Sequence, residues 1–189
     1  MTNILICGVG GQGIVLTSKL IAATAMEKGS PVRSAETIGM AQKGGSVTSY
    51  LRIGECSAPM FCRGEADIMI AFEPAEAVRE FACLRKGGTV VLNTHAVMPV
   101  TAALTGGSYD PSVMEDFLDR ADCRVISLDA EKLSAQIGSP KVMNMIMLSA
   151  AVRSGVLPFS LEDVAEVMKK TVRPQFVEMN MKALYNTVL

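Results

Sequence analysis

Asn3 to Leu20 reads NILICGVGGQGIVLTSKL, and this stretch decides the fold. The run Asn3–Cys7 is short and apolar, as expected of a strand buried on both faces. Gly8, Gly10 and Gly13 follow at G-x-G-x-x-G spacing. From Gln12 to Lys28 the apolar positions Ile14, Leu20 and Ile21 predict a helix that stops at Gly29. Glycines at such a turn let the backbone bend tightly, approach a phosphate closely and seat the helix near the strand. The helix start then offers free N–H groups and a partial positive charge to an anion. The same spacing also suits a tight structural turn with no ligand.

Working outward, Val32–Ala35 predicts a second strand, so that strand, turn, helix and strand form a unit with parallel pairing and a right-handed crossover. A nicotinamide or flavin site would place an acidic residue at the end of that strand to hold the ribose hydroxyls. The segment reads VRSAETIG. Glu36 is the only candidate and falls just past the expected strand end, while Arg33 would instead suit a 2′-phosphate. The dinucleotide fingerprint is therefore incomplete, and a chain of 189 residues leaves no room for the substrate domain of a conventional dehydrogenase.

Further strands are expected at Thr48–Ile53, Asp67–Phe72, Thr89–Asn93 and Cys123–Leu128. The stretch EPAEAVREFACLRKGG reads as a helix from Pro74 to Gly87 and Gly88. Strands alternating with helices give an α/β, Rossmann-like, mainly parallel sheet. The last third turns helical. Pro140–Gly155 is apolar nearly all round, Ser160 with Asp163 forms a good helix start, and PQFVEMNMKALYNTVL is a terminal helix. With no linker or repeat between these parts, residues 1–189 are expected to form a single domain.

Composition narrows the function classes. A net charge of −1 gives no basic surface for nucleic acid or an anionic membrane. No apolar run reaches the length of a membrane span, and MTNILIC is too short for a signal peptide, so a cytoplasmic protein is expected. The five cysteines, Cys7, Cys56, Cys62, Cys83 and Cys123, are odd in number and form no C-x-x-C pair, which argues against disulfides, a zinc site and an iron–sulfur cluster on this chain. Thirteen methionines, without tryptophan, suit either an adaptable core or an adaptable contact surface.

A second loop carries the next signal. In ETIGMAQKGGSV, Lys43 precedes Gly44 and Gly45, so an ammonium can reach an anion while the backbone approaches it. A solvated surface loop has the same composition. Together GVGGQG, AETIGMAQKGGSV, LRIG, GEADIMIAFEP, NTHAVMPV and SPKVMNMIMLSA cover nearly the whole chain. In combination they resemble the gamma subunit or domain of 2-oxoacid:ferredoxin oxidoreductases, and most closely the small subunit of the indolepyruvate enzymes.

The resemblance implies a reaction in which a 2-oxoacid (indolepyruvate or another aryl pyruvate), coenzyme A and oxidised ferredoxin give an acyl-CoA, carbon dioxide and reduced ferredoxin. It places thiamine diphosphate and the iron–sulfur clusters on a larger partner subunit. It gives this chain a Rossmann-like fold and a share in binding coenzyme A. The phosphate-facing positions it implies are Gly8, Gly10, Gly11, Gln12 and Gly13 in the first loop, Lys43 and Gly44 in the second, and Asn144 late in the chain. The indolepyruvate-type sequences usually carry arginine where this chain has Lys43. Lysine keeps the charge and loses bidentate recognition. The residues agree with a non-catalytic role for the isolated chain, since it has no G-D-G…N-N run for a magnesium-bound thiamine diphosphate and no cysteine set for clusters. The apolar C-terminal helices and surplus methionines are then expected to supply an interface with the larger subunit.

Other residues carry weaker signals. His95 follows a strand but shows no evident carboxylate partner. Cys56 and Cys62 flank SAPMF, and idle thiols suit a reducing cytosol. Glu36 and Thr37 either face the site of an assembled enzyme or serve local structure, and Arg173 is expected at the surface or an interface. A free-standing NAD(P)- or flavin-binding oxidoreductase and a nonenzymatic assembly module stay open as alternatives.

Overall fold

Ile4 to Cys7 have no exposed surface, and they form the middle of β1 (Thr2–Val9), the strand around which the sheet is built. The computed structural model describes residues 1–39, 44–98 and 108–187. After β1 come α1 (Ile14–Glu27), β2 (Val32–Ile38), β3 (Ser46–Ile53), β4 (Ala66–Ala71), α2 (Pro74–Glu80), β5 (Leu84–Asn93), α3 (Pro111–Arg120) and β6 (Cys123–Leu128). The chain closes with α4 (Ala130–Ile137), α5 (Met143–Arg153), α6 (Leu161–Thr171) and α7 (Pro174–Asn186).

The six strands lie in the order β2-β3-β1-β4-β5-β6. β1, β4, β5 and β6 are mutually parallel, whereas β3 runs antiparallel to both β1 and β2. The expected direct pairing of the first two strands is thus corrected: β3 lies between them. Burial explains the exchange. β3 buries Val47, Leu51 and Ile53 and takes the interior place, while β2 is largely exposed and takes the edge. β2 and β3 are also successive in the chain, so closing them as an antiparallel pair needs only a short loop.

Two further expectations change. β2 runs on to Ile38, which puts Glu36 inside the strand opposite Ser49. The helix expected from Pro74 to Gly87 ends at Glu80. A 3-10 turn (Phe81–Cys83) follows, and Leu84 then opens β5 by pairing with Ala66. Leu84 is an apolar residue that the sheet can bury, and a Cβ on Gly88 would lie 2.8 Å from its side chain, so this segment folds back tightly on itself.

Alternation along the strands feeds two cores. Ile4, Ile6, Ile68 and Ile70 face α1, α5 and α6. Leu5, Cys7, Met69 and Ala71 face α2 and α3 through Ala77 and Leu118. On the first face α5 is buried on every side, from Asn144 to Val152 without a break. Its apolarity is therefore accounted for by its own chain and not by a partner. The methionines divide: Met69, Met145, Met147 and Met168 are core residues, while Met1, Met26, Met60 and Met98 are exposed. Among the described residues no helix is long and apolar enough to cross a membrane.

Candidate functional site

The carboxyl ends of the parallel strands converge on one edge, where open α/β sheets usually bind ligands at the point where the connections leave for opposite faces. Here that point lies between β1, whose helix α1 lies on one face, and β4, whose helix α2 lies on the other. The crevice there is closed by side chains. Gln12 Oε1 accepts from Val9 N at 2.8 Å, and Gln12 Nε2 donates to Phe72 O at 3.1 Å. Asn93 Nδ2 donates to the same carbonyl at 3.1 Å, and Asn93 Oδ1 accepts from Ala130 N at 3.0 Å. Two carboxamides thus tie the ends of β1, β4 and β5 to the start of α4 in one chain of hydrogen bonds.

Gly8 belongs to this clamp. A Cβ at Gly8 would stand 2.7 Å from both Gln12 Oε1 and Phe72 Cβ, so glycine is required for the carboxamide to reach across. Beyond it Glu73, almost fully buried, caps α2 through Glu76 N, accepts from the Tyr109 hydroxyl, and meets Val97 N at 3.4 Å. Burial and the Glu73 carboxylate push the Tyr109 phenol well up from its ordinary value. Burial, with Glu80, Glu76 and Glu73 adding charge, pushes the Cys7 thiol up too. A thiol held protonated in this way does not suit a cluster ligand, which must be a thiolate. Among the described residues no group of three or more His, Cys, Asp or Glu side chains is placed to hold a metal ion.

The open space lies on the other flank of the glycine loop. A cleft of about 410 Å³ is lined by Gly10, Gly11 and Gly13, by Ile14 at the start of α1, by Val47 of β3 and by Lys19. Gly11 (φ 102°) and Gly13 (φ 90°) adopt left-handed backbone that favours glycine. Gly13 is the N-cap of α1 and offers no side chain to the helix, and the first turn holds no acidic residue. The first intrahelical bond runs from Thr17 N to Gly13 O, so the N–H groups of Ile14, Val15 and Leu16 precede the helical ladder. α2, α3, α4 and α6 start with capping side chains from Glu73, Asp110, Asp129 and Ser160, whereas α5 and α7, like α1, have none.

Two distant segments meet the glycine loop. Gly10 N donates to Gly45 O at 2.8 Å and Gly39 N to Ser46 O at 2.9 Å, so the ends of the second glycine loop, Gly44 included, are anchored beside the first. Lys43 itself lies outside the described residues. Asn144, at the start of α5, is 6% exposed and packs on Gly13: a Cβ there would be 3.1 Å from Asn144 Cβ and 3.9 Å from Nδ2. Among the described residues the Asn144 amide has no hydrogen-bond partner, in contrast to Gln12 and Asn93.

The expected site residues therefore divide. Gly10, Gly11 and Gly13 line the cleft, with Gly44 near by; Asn144 packs on Gly13 from the adjoining groove, whereas Gly8 and Gln12 are built into the clamp. Lys19 was not singled out from sequence; its signal is a position one turn beyond Val15, from which a helical side chain leans back towards the N-terminus. Arg33 donates to Cys56 O at 2.7 Å, so its guanidinium is held at the β2 edge. His95 has a carboxylate partner after all, with Nε2 2.7 Å from Glu131 Oε2, a pair that sequence separation concealed. Cys56 and Cys62 are free thiols.

Comparisons with known proteins agree with this architecture. Residues 3–188 match the family described as pyruvate ferredoxin/flavodoxin oxidoreductase. The indolepyruvate oxidoreductase subunit IorB of Archaeoglobus fulgidus is 40% identical over 184 residues, covering 96% of this chain and 91% of that protein. The keto/oxoacid ferredoxin oxidoreductase gamma subunit of Geobacter sulfurreducens has the same fold, with a TM-score of 0.71 at 21% identity over 97% of this chain and 94% of that one. The 2-oxoglutarate:ferredoxin oxidoreductase of Magnetococcus marinus, solved with 2-oxoglutarate, coenzyme A and succinyl-CoA bound, matches with a TM-score of 0.73 at 18% identity over 98% of this chain and 30% of its own. The chain belongs to the pyruvate ferredoxin/flavodoxin oxidoreductase family.

Proposed function

We propose that this family member works as follows. It is the small, gamma-type subunit of a 2-oxoacid:ferredoxin oxidoreductase. Its substrate is indolepyruvate or a related aryl pyruvate, and its own task is to hold the phosphates of coenzyme A at the cleft beside α1. The observation that carries the reading is the bare start of α1: a helix of fourteen residues whose N-cap gives no side-chain cap, facing an open cleft. An anionic ligand completes what the fold leaves open, since the amides need acceptors and the helix end favours negative charge. Asn144 adds an amide donor, and Lys43 adds an ammonium for a phosphate oxygen. Gly10 and Gly11 keep the backbone clear for the approach.

The residues of this chain do not suit the redox and carbanion chemistry of the reaction. We assign thiamine diphosphate, which supplies the decarboxylating ylid, and the iron–sulfur clusters that pass electrons to ferredoxin to a larger partner subunit. This chain then positions one substrate for chemistry performed next to it. The matched span acts as one domain, and the complex works in the cytoplasm. A free-standing nicotinamide or flavin role is disfavoured by Gln12, which fills the crevice where a dinucleotide would cross the sheet.

The test is to co-express this chain with the larger subunit and assay aryl pyruvate oxidation for acyl-CoA formation and for dependence on coenzyme A. Lys43→Ala should raise the KM for coenzyme A by a loss of about 1–3 kcal/mol with kcat little changed. An active complex that turns over without coenzyme A would overturn the assignment.

A further inference from the structure

Lys19 is exposed on α1 and, among the described residues that line the cleft, is the only charged side chain. Among the described residues it forms no ion pair and no side-chain hydrogen bond, whereas Lys28 and Lys170 are paired with Asp163 and Glu27. No described residue lining the cleft carries a carboxylate to neutralise it. Its position on the helix carries its stem back along Val15 towards the open amides. Across the loop Asn144, more than nine-tenths buried and without a hydrogen-bond partner among the described residues, packs on Gly13 and borders a smaller apolar groove of about 130 Å³ that adjoins the cleft at Leu16. An exposed cation on one side and, on the other, an amide with no hydrogen-bond partner among the described residues thus flank the same helix start.

We propose that Lys19 is a phosphate-binding residue of the cleft, which rests on the coenzyme A reading above. It holds the outer part of the phosphate group whose inner oxygens meet the amides of α1 and Asn144. Its charge is exposed, so it acts as a screened point contact and sets affinity for the coenzyme without touching the reacting carbon.

The experiment reads the rate at which lysines of the assembled wild-type complex are acylated, resolved by peptide mass spectrometry. The probes are desulfo-coenzyme A, inorganic pyrophosphate, and panthenol, which has the pantoyl part of the same arm without phosphate. Desulfo-coenzyme A and pyrophosphate should slow labelling of Lys19 about fivefold, an effect that fades with salt, and panthenol should leave it unchanged. In the same complex Lys19→Ala should raise the KM for coenzyme A about threefold to tenfold, Lys19→Glu more, and Lys19→Arg should restore it, with kcat and the KM for the 2-oxoacid unmoved. If desulfo-coenzyme A protects Lys43 and leaves Lys19 as reactive as before, Lys19 is excluded while the assigned function stands. If turnover needs no coenzyme A, that function falls, and pyrophosphate alone decides Lys19: protection supports an anion contact there and unchanged labelling removes it. Unchanged KM values for both the Ala and Glu variants would likewise overturn the proposal.

Discussion

The two sides of the first glycine loop are built from the same residue types and behave in opposite ways. Towards β4, a glycine and two carboxamides, Gly8, Gln12 and Asn93, form a closed hydrogen-bond chain across the strand ends. Towards β3, Gly11 and Gly13 leave the start of α1 open to a cleft, and one carboxamide, Asn144, packs on Gly13 with no hydrogen-bond partner among the described residues. A buried polar group that is satisfied by the fold stabilises it, and one that is left open costs stability unless something else satisfies it. The contrast separates scaffold from site more sharply than residue type does. On the proposed function, it also accounts for a G-x-G-x-x-G loop that faces phosphates without hosting a dinucleotide.

Substitutions sharpen the contrast because the clamp should answer in stability and the cleft in binding. The largest effect is expected for Gly8→Ala, which drives a methyl group against Gln12 and Phe72 and should cost about 2–4 kcal/mol in denaturant unfolding. Asn93→Leu comes next, at about 2–3 kcal/mol, because Ala130 N loses its acceptor in a fully buried place. Asn144→Ala should change stability by less than about 1 kcal/mol, there being no bond to lose among the described residues, yet raise the KM for coenzyme A in the assembled complex. A stability loss for Asn144→Ala as large as that for Asn93→Leu would erase the distinction.

The smallest effect is a pH dependence confined to the clamp side. Burial raises the Cys7 thiol above its ordinary value of 9.0, with Glu80, Glu76 and Glu73 adding to the rise. The folded chain therefore keeps this proton to higher pH than the unfolded chain does. The contribution to stability is complete below pH 9.0 and is lost as pH rises towards the folded value. Cys7→Ala should flatten the alkaline fall of the unfolding midpoint, and an unaltered slope would assign that fall to other groups.

Much of this was legible in the chain itself, and the reasons differ by element. The strand-loop-helix at Asn3–Leu20 and the capping box of Ser160 with Asp163 are local devices, written in adjacent residues, and both are present. The place of β3 between β1 and β2 depends on which strand buries more, a property of the assembled sheet. The short α2 was overextended because FACLRKGG has no breaker before Gly87, while pairing of Leu84 with Ala66 ends the helix from outside. Helices α3 and α4 went unread although Asp110-Pro111 and Asp129 are recognisable starts. In the site, the glycines could be read from spacing. The division of Gln12 from Asn144 could not, because both are carboxamides and what tells them apart is a carbonyl sixty residues from Gln12, Phe72 O, that Gln12 reaches.

The most direct measurement is a structure of the assembled complex with coenzyme A bound. The expected result has phosphate oxygens about 3 Å from the amides of Ile14 and Val15, with Asn144 turned to the same group. A coenzyme whose phosphates lie elsewhere, with side chains of the larger subunit filling the start of α1, would contradict it.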